Sequence, residues 1–424
     1  MILLIASIVF LLVGMPVAIA LGGGSLAEIW FGTATVHSAL IPQRLIQGLA
    51  SFPLLAVPFF ILAAEVMNAS NVTNKMLRPA KAIFGPLPGG MAQVNIGASM
   101  IFSGVTGSAV ADAASIGRIE IRAMQQAGYT PQFSAAVTAA SATIGPIIPP
   151  SIPFVIYGSV ADVSIGKLLL AGTLPGVLMS VMMMVAVAIL ATRRAFPRMA
   201  PSSWSEIGVA VADSILPLMT PAILIVGIVS GYFTPTEASA VASIYAIILG
   251  LLVYRTINIG QLYAIFGRVV LQSAAVLFIL AFASLLGLVF TRLGLPTYLE
   301  ALIDTLGLGP IGFLILVNVL LLVVGCFLES LAALTILAPI LAPIALGMGI
   351  DPIHFGVVFV FNLMIGLILP PSGILLMVVK DIARVSTTSL MRELMPFIIA
   401  LLVTLVILTF VPSISTILPE VLMP

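Results

Sequence analysis

The chain has 424 residues, 61% of them hydrophobic and 7% charged, whereas a soluble domain carries about 45–50% apolar and about 25% charged residues. Sixteen Lys and Arg stand against fifteen Asp and Glu, a net charge of +1, so no basic surface argues for nucleic acid. One cysteine and two histidines exclude an internal disulfide and support no zinc site, and without G-x-x-x-x-G-K-[ST] the chain does not hydrolyse ATP by a Walker-type mechanism. What remains is an all-α polytopic membrane protein. Runs of roughly 20 apolar residues recur from Ile2 to Phe410, enough for about ten crossings of a bilayer, with charges gathered at the joints.

In chain order, the first run, Met1 to Leu21, has no basic residue before it and is read as a retained segment, not a signal peptide. Whether residues 25–42 cross the membrane is left open. Residues 71–85 are predicted as an amphipathic arm lying along the membrane, basic through Lys75, Arg78 and Lys81. Residues 86–127 then suffice to enter the membrane and return as a re-entrant hairpin, bending at Gly104 and Gly107. Residues 131–160 form a helix interrupted from Gly145 to Ser151 by G-P-I-I-P-P-S, because each proline removes a donor and breaks the helix. These elements make up a first repeat over 1–192, and residues 193–213 are expected to be a cytoplasmic connector.

The second half, 214–424, repeats this plan. An offset of 221 aligns Gly104 with Gly325, Gly145 with Gly366, and Pro149-Pro150-Ser151 with Pro370-Pro371-Ser372. The corresponding arm is 296–307, the hairpin 308–348 and the broken helix 352–380. This second arm carries Glu300 and Asp304 and no base. Since basic joints face the cytoplasm, the two arms are expected on opposite faces, which makes the repeats inverted in topology, as in secondary transporters.

Interrupted backbone at membrane depth is tolerated only against protein, water or a ligand. A hairpin tip beside an unwound helix collects carbonyls and hydroxyls, hard oxygen ligands that suit Na⁺, while the helix starts near Ser151 and Ser372 turn partial positive charge towards an anion. Asp112 and Glu329 stand out because an ionisable group inside a membrane segment is costly. Ser103, Thr106 and Ser108 serve packing or ligation equally well, and Asn95 and Asn318 read as interhelical hydrogen-bonders.

Three stretches, F-S-G-V-T-G-S-A-V-A-D-A-A-S-I-G (102–117), A-T-I-G-P-I-I-P-P-S-I-P (142–153) and G-I-D-P-I-H-F-G (349–356), resemble the large membrane subunit of tripartite ATP-independent periplasmic (TRAP) transporters. The resemblance implies an elevator-type fold in the bacterial inner membrane. It also implies Na⁺-driven uptake of a small organic acid, of the C4-dicarboxylate or sialic acid class, from a periplasmic substrate-binding protein. A small four-helix membrane subunit is implied too, expected here as a separate chain. Carried over by position, Ser103, Gly104, Ser108 and Gly145 would form one Na⁺ site and Gly325 and Gly366 part of a second, while Ser108, Asp112, Ser151 and Glu329 would face or support the substrate. The alternative is a stand-alone Na⁺/anion symporter of related fold. An intramembrane enzyme would need a nucleophile-base or metal constellation, for which two distant histidines and one cysteine are a poor basis.

Overall fold

The computed structural model describes residues 2–70, 73–194, 196–371 and 373–423. Ser372, expected to open the second half of the second broken helix, lies outside the described residues, as do the side chains of Thr106 and Asp304. The described chain is helical throughout. It runs α1 (Ile2–Leu12), α2 (Val17–Phe31), α3 (Leu40–Gln47), α4 (Ala56–Ala69), α5 (Thr73–Phe84), α6 (Gly90–Thr106), α7 (Ala109–Ala114) and α8 (Ile116–Gln126). There follow α9 (Pro131–Ala142), α10 (Ile152–Ala161), α11 (Ile165–Ala171), α12 (Thr173–Arg194), α13 (Trp204–Val229), α14 (Pro235–Ile248) and α15 (Ile259–Arg292). The remainder is α16 (Leu295–Thr305), α17 (Pro310–Gly325), α18 (Ser330–Gly347), α19 (Pro352–Gly366), α20 (Ile374–Ala383), α21 (Thr387–Phe410) and α22 (Ser413–Leu422).

Among the described residues, seven helices are long and apolar enough to cross a membrane and five shorter ones are apolar. The shortfall from about ten crossings has a local cause: α9 and α10, like α19 and α20, divide one apolar run between two segments. Large apolar side chains face outwards on the long helices, among them Val181, Val185 and Ile189 on α12 and Val270 and Leu271 on α15. An apolar surface of this kind is solvated by hydrocarbon, not water.

Local sequence explains why the broken helices start where they do. Gly128 and Gly349, 221 positions apart, both take positive φ, at 91° and 77°, where a Cβ is strained. Two residues later a capping side chain closes the first turn. Thr130 accepts from Phe133 N at 3.3 Å, and Asp351 accepts from Ile353 N at 2.9 Å and His354 N at 2.8 Å. A proline then occupies the first helical position in each, where its missing N–H costs nothing. Each cap is worth about 1 kcal/mol.

The connector is shorter than expected. α12 runs to Arg194 and α13 begins at Trp204, where Ser203 and Glu206 form a reciprocal capping box. That box claims residues 204–213 for helix. The hairpins differ too: the returning limb of the first is divided at Ser115 into α7 and α8, while α18 continues through Pro339 and Pro343.

Helix packing follows the 221-residue shift. α4 lies against α14, and the shifted pair, α15 and α2, lie against each other. Moreover, α10 packs on α18 while α20 packs on α7 and α8, so the second segment of each broken helix docks on the hairpin of the other half. The crossover brings both hairpin tips and both interruptions to one place.

Candidate functional site: two hairpin tips around one cavity

The tip of the first hairpin turns at Gly107, with φ +59°, and restarts as α7 with Ser108 as N-cap. The Ser108 hydroxyl accepts from Ala111 N at 3.5 Å, a weak cap. The second restarts as α18 with Glu329 in the equivalent position, accepting from Ala332 N at 3.0 Å and from the Ser330 hydroxyl at 3.3 Å. A carboxylate at a helix N-terminus is favoured by the exposed N–H groups there. Both caps open onto one cavity of about 60 Å³, whose walls include Gly107, Ser108, Pro146, Ile152, Glu329 and Ser330. Residues of both tips and both broken helices therefore share it.

The expected site residues are only partly gathered at this cavity. Ser108 and Glu329 line it. Asp112 is buried one turn along α7, and a Cβ added to Gly145 would lie 2.3 Å from its Oδ2, which sets this carboxylate against the first interruption. Ser151 is also buried. Its hydroxyl donates to Pro146 O and accepts from Phe154 N at 3.2 Å, so it closes the loop of the interruption and caps α10. Ser103 is buried and donates to Met100 O at 2.6 Å.

Among the expected cation positions, a Cβ on Gly104 would stand 2.9 Å from the Pro221 side chain and 3.7 Å from Pro149 O. A Cβ on Gly107 would stand 2.6 Å from Pro150 O. The first tip therefore lies against the carbonyls of the first interruption. In the second half Gly325 and Gly366 meet directly: a Cβ on Gly366 would lie 2.7 Å from the Gly325 Cα. This close approach sets the backbone of the second tip directly against that of the second interruption.

Behind each tip a buried polar pair ties hairpin to broken helix. Asn95 Nδ2 donates to Thr138 Oγ1 at 2.8 Å, and Ser141 donates to Asn95 Oδ1 at 2.6 Å. In the second half Asn362 Nδ2 donates to Asn318 Oδ1 at 2.9 Å, and Asn318 Nδ2 to Thr409 Oγ1 at 2.9 Å. Asn362 occupies the position of Ser141 shifted by 221. Sequence reading passes over Asn362 because its partner in the first half is a different residue type. It also passes over Glu120, buried on α8, whose only sequence signal is its place two turns beyond Asp112.

The first hairpin has one further tie, outside the tip. Tyr129, just after α8, donates its hydroxyl to Gly89 O at 2.6 Å, closing the base of the hairpin, and burial pushes its phenol up to about 12. Residues 73–84 reach instead across to the other half: Arg78 pairs with Asp213 on α13 at 2.5 Å and Lys75 lies 3.9 Å from the centre of the Tyr254 ring, beyond α14.

Comparison with known proteins is consistent with this geometry. The family described as "Tripartite ATP-independent periplasmic transporter, DctM component" matches residues 4–414. The chain is 40% identical over 410 residues to the sialic acid TRAP transporter large permease protein SiaM of Vibrio cholerae, covering 97% of this chain and 96% of that one. It is 36% identical to the C4-dicarboxylate TRAP transporter large permease protein DctM of the same organism, over 99% and 97% of the two chains. The solved structure of the Alcanivorax borkumensis YdaH transporter, described as having an unusual topology, shares the fold with a TM-score of 0.68. It is 16% identical and is covered to 98%, against 96% of this chain.

Proposed function

This chain belongs to the DctM component of the tripartite ATP-independent periplasmic transporters, and on that premise we propose that it couples Na⁺ entry to uptake of a small organic acid. It is a multi-pass membrane permease and not an enzyme. The observation that carries the proposal is the single cavity shared by two restarted helices, one capped by Ser108 and one by Glu329. The relatives are named for sialic acid and for C4-dicarboxylates, and an acid of one of these classes is the proposed cargo.

Hard oxygen groups at Ser103, Gly104, Ser108 and Gly145, and at Gly325 and Gly366, are the proposed Na⁺ ligands. Glu329 is a carboxylate beside a site for an anion, and like charges there repel. Its role in the proposal is therefore to favour Na⁺ or to accept from substrate hydroxyls, with Asp112 supporting the first tip.

The central cavity, at about 60 Å³, is far below the roughly 300 Å³ at which small-molecule sites begin. An organic acid enters only when the tips part. The crossed docking of α10 on α18 and of α20 on α7 and α8 supports motion of hairpins and broken helices as one unit against a frame of α2, α4, α14 and α15, an elevator. In this reading the membrane is the bacterial inner membrane, the acid is delivered by a periplasmic binding protein, and a small membrane subunit completes the transporter. The basic arm α5 faces the cytoplasm and α16 the periplasm.

Uptake in proteoliposomes with purified partners and a panel of organic acids tests this reading. Transport should need an inward Na⁺ gradient and the binding protein. Full uptake in K⁺ with ATP supplied would refute the coupling, and full uptake without a binding protein would favour a stand-alone symporter. In a Cys326→Ala background, Arg78→Cys and Glu300→Cys should label from opposite faces.

A further inference from the structure

A second cavity, of about 390 Å³, lies between α3, α15, the C-terminal end of α10 and the middle of α18. Its size falls within the range of small-molecule sites, roughly 300–1,000 Å³. The polar side chains on its wall include Arg44, Gln47, Ser51, Ser159, Ser284 and Thr335. Arg44 is the only charged residue of that wall among the described residues, and no described carboxylate pairs with it. The wall is thus a lone guanidinium surrounded by hydroxyls and an amide, with no acid to neutralise it.

Its construction holds this arrangement in place. A Cβ on Gly48 would lie 2.7 Å from the Ser284 Cβ, so α3 sits close on α15 one turn beyond Arg44. Across the cavity Ser51 and Ser159 share a hydrogen bond of 2.8 Å, joining the segment after α3 to the end of α10. The helices α10 and α18 line both cavities, the central one through Ile152 and Leu331 and this one through Ser159 and Thr335. Ser159 is seven residues beyond Ile152, about 10 Å along a helix.

Position gives the cavity a side. It opens at the Ser51 end of the span Phe52–Ala69, and the basic arm follows the other end. If that arm is cytoplasmic, as proposed above, the cavity is periplasmic.

We propose that this cavity is an entry vestibule for the anionic substrate, in which Arg44 holds the acid's carboxylate before the tips part. The inference rests on the transport reading for its direction. The adjoining cavity, about 600 Å³, shares Ser51 and Ser159 but, among the described residues, includes Asp162 and no base, so an anion is driven towards Arg44. A field of one sign in a low-dielectric cleft raises the local concentration of the opposite ion and its on-rate. Arg44 is a specificity and capture residue, since it lies away from the caps at Ser108 and Glu329.

The test reads the vestibule's charge separately from transport. Ser284→Cys in a Cys326→Ala background is labelled with an anionic sulfonate and a cationic ammonium methanethiosulfonate, in purified full-length protein. The anionic reagent should react roughly fivefold faster relative to its rate with a free thiol, Arg44→Gln should abolish the preference and Arg44→Lys should keep it. Equal reactivity, or a preference that survives Arg44→Gln, overturns the proposal. In proteoliposomes Arg44→Gln should lower uptake several-fold at sub-saturating acid and leave the saturated rate within about twofold, with Arg44→Lys restoring it. An equal loss at all concentrations overturns capture by Arg44. Absence of wild-type uptake of every acid in the panel instead sinks the transport reading, and the labelling result still decides the vestibule.

Discussion

The two hairpin tips share a backbone plan and differ in where they put their charge. In the first, the cap is the neutral Ser108 and the carboxylate is Asp112, buried one turn on against Gly145. In the second, the cap is itself the carboxylate, Glu329, and the position of Asp112 is filled by Ala333. The close contact between hairpin and interruption changes accordingly. In the first half a side-chain oxygen meets a glycine, and in the second two glycine backbones meet. Equivalent scaffolds thus produce one tip with a removable side chain against its interruption and one whose contact is made of backbone. The second should be the less tolerant of substitution.

Glycine substitutions give the largest expected effect. In Gly366→Ala the new Cβ meets Gly325 Cα, carbonyl carbon and oxygen within 2.9 Å, and no side chain is there to move. Overpacking of this sort costs about 1–3 kcal/mol, and uptake should vanish. Gly145→Ala should be milder, because its clash is with the tip of Asp112, and Asp112→Ala should recover its thermal stability in the double variant. Equal damage from the two single glycine variants, measured by melting in detergent and by uptake, would erase the distinction between the tips.

Removing the charges sharpens the comparison further. Glu329 lines the shared cavity and Asp112 does not. Both Glu329→Gln and Asp112→Asn should insert normally and lose most uptake, roughly tenfold or more, since hydrogen bonds to charged groups contribute about 1.5–3 kcal/mol. Only Glu329→Gln should also change which acids are preferred among those bearing hydroxyl groups. Near-normal transport with unchanged Na⁺ dependence in both variants would return the sites to carbonyls and serines alone.

The smallest effects on uptake belong to the pairs behind the tips, whose loss is read in stability instead. Ser141→Ala and Asn362→Ala each remove a buried hydrogen-bond partner and should lower stability by about 1–3 kcal/mol. Asn362→Ala should be the worse of the two, because Asn362 also reaches the Asn318 carbonyl at 3.1 Å and leaves a larger void. Thermal melts of the two variants check the order. The reverse order would mean that Asn95, which retains Thr138, depends on Ser141 more than the geometry indicates.

Much of this molecule is legible from sequence because its signals are local. Glycines with positive φ at 128 and 349, caps at Thr130 and Asp351 and prolines after them set the starts of the broken helices, and the 221-residue offset announces that the plan occurs twice. Apolar run length determines that the chain crosses a membrane, since hydrocarbon requires internally bonded backbone. Only the tertiary structure decides which carboxylate faces the common cavity. Asp112 and Glu329 look alike as intramembrane acids, yet one turn of helix directs the first against Gly145 and leaves the second at the cap. Arg44 carries no motif at all. Its significance depends on α3 packing against α15 and on the end of α10 and the middle of α18 closing the same space, contacts between residues too far apart in the chain for any local pattern to record.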